Sequence, residues 1–128
     1  ADYQDAESVK GLSFAVETGS AGKDEVEALG ASFTEVADQA TALMEVASGT
    51  SEAAVIDSLM AAAMVGEGTS YANLTYTVGL NSEEYGVGFR KGSDLTEKLN
   101  EFFKTCYEDG TMMKIAEQYG VQAALIEQ

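Results

Sequence analysis

The hexapeptide Glu17-Thr18-Gly19-Ser20-Ala21-Gly22 carries the residue types of an anion cradle. It follows the apolar run 12–16 and precedes a segment with helical spacing, so it links a strand to a helix. Its glycines let the backbone come close to a ligand, and the first amides of a helix point outward without an intrahelical acceptor. Such a place suits a carboxylate or a phosphate, with a hydroxyl from Ser20 or Thr18 as a further donor. The same residues also make a tight turn with a serine cap, and on local pattern alone that is the commoner outcome. The phosphate loop GxxxxGK[ST] fails here, because it needs Gly where Glu17 stands and Ser or Thr where Asp24 stands.

A second candidate is Asp57, directly after the short apolar run 53–56. A carboxylate at the end of a strand can pair with a ligand ammonium; it can equally cap a helix. The two positions complement each other. An anion cradle at Ser20 and Ala21 beside an anionic Asp57 matches the two ends of a zwitterion. Other candidates are weaker. Glu83 and Glu84 are adjacent and read as solvated charge. Met60, Met64, Met112 and Met113 read as core fillers. Cys106 falls on the apolar side of a helix and reads as an inert thiol.

Composition removes whole classes of chemistry. The 128 residues include no histidine, which excludes His-based triads, His general bases and His-ligated zinc. A single cysteine excludes an internal disulfide and any CxxC site. With 22 acids against 7 bases the formal charge is −15. Nucleic-acid binding needs a basic stripe, and an anionic membrane surface would repel this chain. No cofactor and no metal are expected. No apolar run approaches the ~20 residues of a membrane span. The chain opens at Ala1 on a polar segment without Met and so reads as a mature or excised piece.

The elements that must position these residues follow from periodicity. Residues 12–16, 32–37 and 53–56 read as strands, as do 73–80 and 85–90. Helices are predicted over 23–30, with Val26 and Leu29 inward, and after Asp38, with Ala40, Leu43, Met44 and Ala47 inward. A short Ala/Met helix follows Ser58. The clearest helix begins at Ser93 or Asp94 and buries Leu95, Leu99, Phe102, Phe103 and Cys106. A last helix, capped by Thr111, buries Met112, Ile115, Ala116 and Tyr119, and the tail 121–128 reads as a further helical turn. Strands alternating with helices imply an α/β fold with a mostly parallel sheet flanked by helices, followed by C-terminal helices. Ligands of such sheets gather at the carboxyl ends of the strands.

Three stretches together resemble the type II solute-binding proteins of bacterial amino-acid ABC importers, the family 3 extracellular solute-binding proteins. They are VKGLSFAVETGSAGKDEVEAL, MEVASGTSEAAVID and EEYGVGFRKGSDLTEKLNEFFKTCYEDGTMMKIAEQYG. The first is similar to the family's L-K-G-k-x-v-x-v-x-x-G-[ST]. The second is similar to L-x-x-G-x-x-D-A-v-v-x-D, with Glu52 in place of the usual Asp. The resemblance implies that the Gly19-Ser20-Ala21 turn holds the ligand α-carboxylate, with the Ser20 hydroxyl and amide and the Ala21 amide as donors. Thr18 and Glu17 would sit beside the ligand, and Asp57 would take the α-ammonium. It implies a periplasmic binding protein-like lobe over 10–80 after a linker at 1–9. A return crossover would lie at 81–84, and residues 85–128 would close the other lobe, whose first part is missing.

The function so implied is capture of a polar amino acid between two lobes and its delivery to ABC permease subunits. The place implied is the periplasm or, as a lipid-anchored lipoprotein, the outer face of the membrane. The rivals are an enzyme on the same fold, of the cyclohexadienyl dehydratase type, and the ligand-sensing domain of a membrane receptor. Without His, Glu17 or Asp57 would have to do the enzyme's proton transfer. A half-lobe at 85–128 would leave apolar surface bare, so a homodimer and weak ligand binding are expected of the chain alone.

Overall fold

The computed structural model describes residues 3–127; the first two residues of the expected linker, and Gln128, lie outside them. The chain divides into two compact units, one ending at Ser82 and the other beginning at Glu83.

The first unit is built on three parallel strands, β1 (Ser13–Glu17), β2 (Ser32–Val36) and β3 (Ala53–Val55), in the order β2-β1-β3. Helix α1 (Ala21–Leu29) connects β1 to β2, and α2 (Gln39–Ser48) connects β2 to β3. Helix α3 (Ser58–Met64) follows β3. Because β1 is central, the two crossovers run in opposite directions. Right-handed connections then place α1 and α2 on opposite faces of the sheet. Register fixes which residues meet each helix. Phe14 pairs with Phe33 and Ala53, and Val16 with Val55, so these share one face. Val26 of α1 packs in the same cluster, with Val9 and Ala31. Val16 and Val26 are fully buried, each contributing about 1.5–3 kcal/mol. The other face presents Ala15, fully buried, with Ala42 and Leu43 of α2.

Local chemistry ends each helix where the sequence signals it. Ser20 caps α1, Asp38 caps α2 and Asp57 caps α3. Gly30 and Gly49 close the first two with φ of 72° and 77°, left-handed values that favour glycine.

In the second unit, α4 (Leu95–Glu108) and α5 (Thr111–Tyr119) pack together, and a 3₁₀ turn spans Gln122–Ala124.

Several expectations require correction. Residues 73–80 and 85–90 form no strand. A strand is stable only with a partner, and the second unit offers helices alone, so alternation at 85–90 has nothing to pair with. Val78 still packs against the first unit's core. In α2 the buried residues are Ala42 and Leu43, while Met44 is 56% exposed and Ala47 is exposed. Alanines at many positions gave the helix no unique apolar stripe, and the small Ala42 permits close approach to the sheet. In α4 only Cys106 is buried, and in α5 only Ala116. Leu95, Phe102, Ile115 and Tyr119 are 49–72% exposed, since a two-helix unit cannot cover two amphipathic faces. The cap of α5 is Gly110 rather than Thr111, and the Asp109 carboxylate accepts the Thr111 amide at 2.8 Å.

Candidate functional site

All the candidate residues of the first unit lie along one edge of its sheet. β1 and β3 are hydrogen-bonded neighbours running in the same direction, with Val16 opposite Val55. Their carboxyl ends therefore sit side by side, about 4.8 Å apart across the ladder. Glu17 ends β1, and Ile56-Asp57 continues from β3.

The turn between β1 and α1 is shaped from within. Gly19 has φ of 71°, a conformation that costs a side-chain-bearing residue energy. Thr18 donates both its amide (3.0 Å) and its hydroxyl (3.2 Å) to the Val36 carbonyl, closing the β1–β2 ladder. Ser20 accepts the Lys23 amide on Oγ at 3.1 Å and donates that hydroxyl to the Glu17 carbonyl at 2.8 Å. The Ser20 amide is also given to the Glu17 carbonyl, at 3.2 Å. Its own carbonyl receives the Asp24 amide at 3.4 Å. Of the four amides that open α1, Ser20 thus serves two, those of Lys23 and Asp24. The other two, of Ala21 and Gly22, have no intrahelical acceptor and carry the positive end of the helix dipole.

Gly22 brings this helix start to the β3 tip. A Cβ at residue 22 would lie 2.9 Å from Val55 Cγ1 and 3.3 Å from Val55 Cβ. The hydrogen-bonding end of α1 is therefore seated against the last residue of β3, two positions before Asp57. The Asp57 Oδ1 accepts the Leu59 amide at 2.9 Å and the Met60 amide at 3.2 Å. These bonds fix the carboxylate's orientation while it caps α3. Both readings of Asp57 hold geometrically at once, for a cap uses one oxygen and a carboxylate has two.

Sequence reasoning missed Gln39, the first residue of α2. Its Nε2 donates to the Glu17 carboxylate at 3.2 Å, and its Oε1 accepts the Asp57 amide at 2.8 Å. The signal available was a long polar residue directly after an N-cap Asp. Nothing in the spacing told that α2 starts at the edge where both tips end. Lys23, by contrast, directs its ammonium away from the tips toward Glu27 (3.8 Å) and Glu35 (3.9 Å).

The weaker candidates scatter. Glu83 and Glu84 are exposed, and Cys106 is a buried free thiol. Met60, Met64 and Met112 are half-buried, and Met113 is 43% exposed. Among the described residues no helix is long and apolar enough to cross a membrane.

The edge can do one thing well chemically. It sets two outward amides at a helix start beside an oriented carboxylate, on adjacent strands, within one compact unit. No protein-family model matches the chain, and no curated protein matches it either. Among solved structures it is similar to an ancestral arginine-binding protein bound to arginine, with a TM-score of 0.78 and 28% sequence identity. The likeness covers 93% of this chain and 55% of that one, so the chain spans about half the length of the protein it resembles. The α/β architecture, a parallel open sheet flanked by helices, is that of an amino-acid-binding protein of the periplasmic binding protein-like kind.

Proposed function

We propose that the chain supplies one wall of an amino-acid site. The α1 start holds the ligand α-carboxylate and Asp57 holds the α-ammonium. The observation that carries this is the seating of Gly22 on Val55. It holds the open amides of Ala21 and Gly22 next to the strand tip that leads into Asp57. Each end of a zwitterion loses water on binding and needs a partner, and these two groups are of the right sign. Gly19 shapes the turn, and Thr18 and Glu17 flank the ligand. The Ser20 hydroxyl, bonded here to the Glu17 carbonyl, turns to the ligand carboxylate by rotation about its Cα–Cβ bond.

The ligand is a polar amino acid, with arginine the first to test, since the similar structure is bound to arginine. The biological role we infer is that of the substrate-binding component of a bacterial ABC importer. It works in the periplasm or lipid-anchored outside the membrane, closes two lobes on the amino acid and passes it to permease subunits. The bare apolar side chains of α4 and α5 favour association with a second copy. Binding is supported over catalysis by the state of the two carboxylates. Glu17 is tied to an amide and Asp57 to two helix N–H groups, an arrangement that holds charge in place rather than moving protons.

Titration of the isotope-labelled chain with L-arginine tests the reading. The amide resonances of Ala21, Gly22 and Asp57 should shift together, and agmatine, which lacks the carboxylate, should leave those of Ala21 and Gly22 in place. Arginine that moves none of the three up to its solubility limit, or moves only resonances elsewhere, overturns it.

A further inference from the structure

We propose that Gln39 is a positioning residue of this site, its carboxamide acting as a brace that holds the β1 and β3 tips in register for the ligand. The inference rests on the amino-acid-binding reading and goes beyond it, to what keeps the site preformed.

Three observations carry it. First, the one side chain bonds to both tips, Nε2 to the Glu17 carboxylate at 3.2 Å and Oε1 to the Asp57 amide at 2.8 Å. Second, its own root is fixed. Asp38 caps α2 by accepting the Thr41 amide at 2.7 Å, and α2 packs on both β1 and β3. Third, the Asp57 carboxylate is gripped from the other side by the amides of Leu59 and Met60. Backbone and side chain of Asp57 are thus anchored independently, which leaves little freedom to lose when a ligand ammonium arrives. Rigid presentation of this kind improves affinity by lowering the ordering cost of binding.

The chemistry demands a carboxamide. One end must donate to a carboxylate and the other must accept an N–H. Glutamate at this position has no donor at neutral pH and sets a second negative charge against Glu17. Methionine has the length and neither function. A protonated glutamic acid, however, restores both bonds, because its O–H can donate to Glu17 while its carbonyl accepts from Asp57. Two carboxylates that share a proton hold it above the ordinary range near pH 4.3.

The test uses arginine binding by the same resonance titration, for the unchanged chain, Gln39→Met and Gln39→Glu, across pH 4.5–7.5. We expect Gln39→Met to bind about tenfold more weakly at every pH, the loss of roughly one hydrogen bond to a charged group. Gln39→Glu should be at least as weak at neutral pH and regain affinity relative to the unchanged chain as pH falls. A role confined to stabilising α2 would lower the melting temperature of both variants without this pH-dependent recovery. Equal affinity of all three proteins overturns the brace while leaving the amino-acid site standing; an unchanged chain that binds no arginine overturns the site itself. Should either variant not fold, the unchanged chain still decides. The side-chain NH₂ resonances of Gln39 must follow the titration of Glu17 and shift on arginine binding, and resonances indifferent to both overturn the proposal.

Discussion

Gly22, in the first turn of α1, stands so close to Val55 of β3 that a Cβ on it would lie 2.9 Å from Val55 Cγ1. Valine is stiff about χ1 and cannot swing aside. Alanine in a helix ordinarily gains about 0.5–1 kcal/mol over glycine. Here Gly22→Ala should instead destabilise by about 1–3 kcal/mol, the cost of overpacking. Urea denaturation measures it, and Val55→Ala in the same chain should recover part of the loss.

Ser20 separates the structural role of its turn from the ligand role. Ser20→Ala removes the cap on Lys23 and should cost about 1 kcal/mol of stability. Ser20→Asp keeps a capping oxygen and should stay within a few tenths of a kcal/mol of the unchanged chain. It also places negative charge where the ligand carboxylate would sit, so arginine should no longer shift the Ala21 and Gly22 amides. Binding that survives Ser20→Asp argues that the carboxylate sits elsewhere.

Asp57→Asn makes the matching separation at the other tip. Asparagine caps helices as well as aspartate does, so thermal unfolding should change little. Affinity for arginine should fall at least about a hundredfold, as for breaking a desolvated ion pair. A dissociation constant like that of the unchanged chain would remove Asp57 from the site.

At the opposite end of the sheet, Glu52 accepts the Ser13 amide (2.9 Å) and hydroxyl (3.0 Å) and returns its own amide to the Ser13 carbonyl. The bond from the Ser13 amide first, then that from its hydroxyl, holds the Glu52 carboxyl below its ordinary pKa of 4.5. A depressed folded pKa gives stability that is present above the ordinary value and lost as pH falls through the lowered one. Asp38 and Asp109 are lowered likewise by their bonds to Thr41 and Thr111. Stability should therefore decline in acid below about pH 4.5. Glu52→Gln should be the less stable chain at pH 7 and converge on the unchanged one in acid; parallel curves would show that the charge of Glu52 contributes nothing.

The exposed Phe102 of α4 and Ile115 of α5 predict self-association. Sedimentation equilibrium should show a dimer that Phe102→Ser and Ile115→Ser together weaken by at least about tenfold. A monomer at all concentrations would refute the second copy as partner.

Elements were legible where the sequence carries local signals. The strand at Phe14 and Val16, the caps at Ser20 and Asp38, and the closing Gly30 and Gly49 all rest on contacts within a few residues. The pairing of an anion cradle with Asp57 was also readable, because β-α-β order brings alternate strand ends to one edge. The second unit was less legible. Alternation at 85–90 suggests a strand, but a strand exists only through a partner, which periodicity does not report. The same holds for Phe102 and Ile115, whose helices were foreseen and whose burial was not.

The edge-on grouping was written in residue types, whereas its working geometry came only with the fold. No spacing rule relates Gln39 to Glu17 or Asp57, or Gly22 to Val55; each is a contact between elements whose separation depends on sheet order. Short-range hydrogen bonding and φ preferences act through neighbouring residues and so leave their mark in the sequence. Packing distances between a helix start and a strand two crossovers away depend on every side chain between them, and only the folded chain sets them.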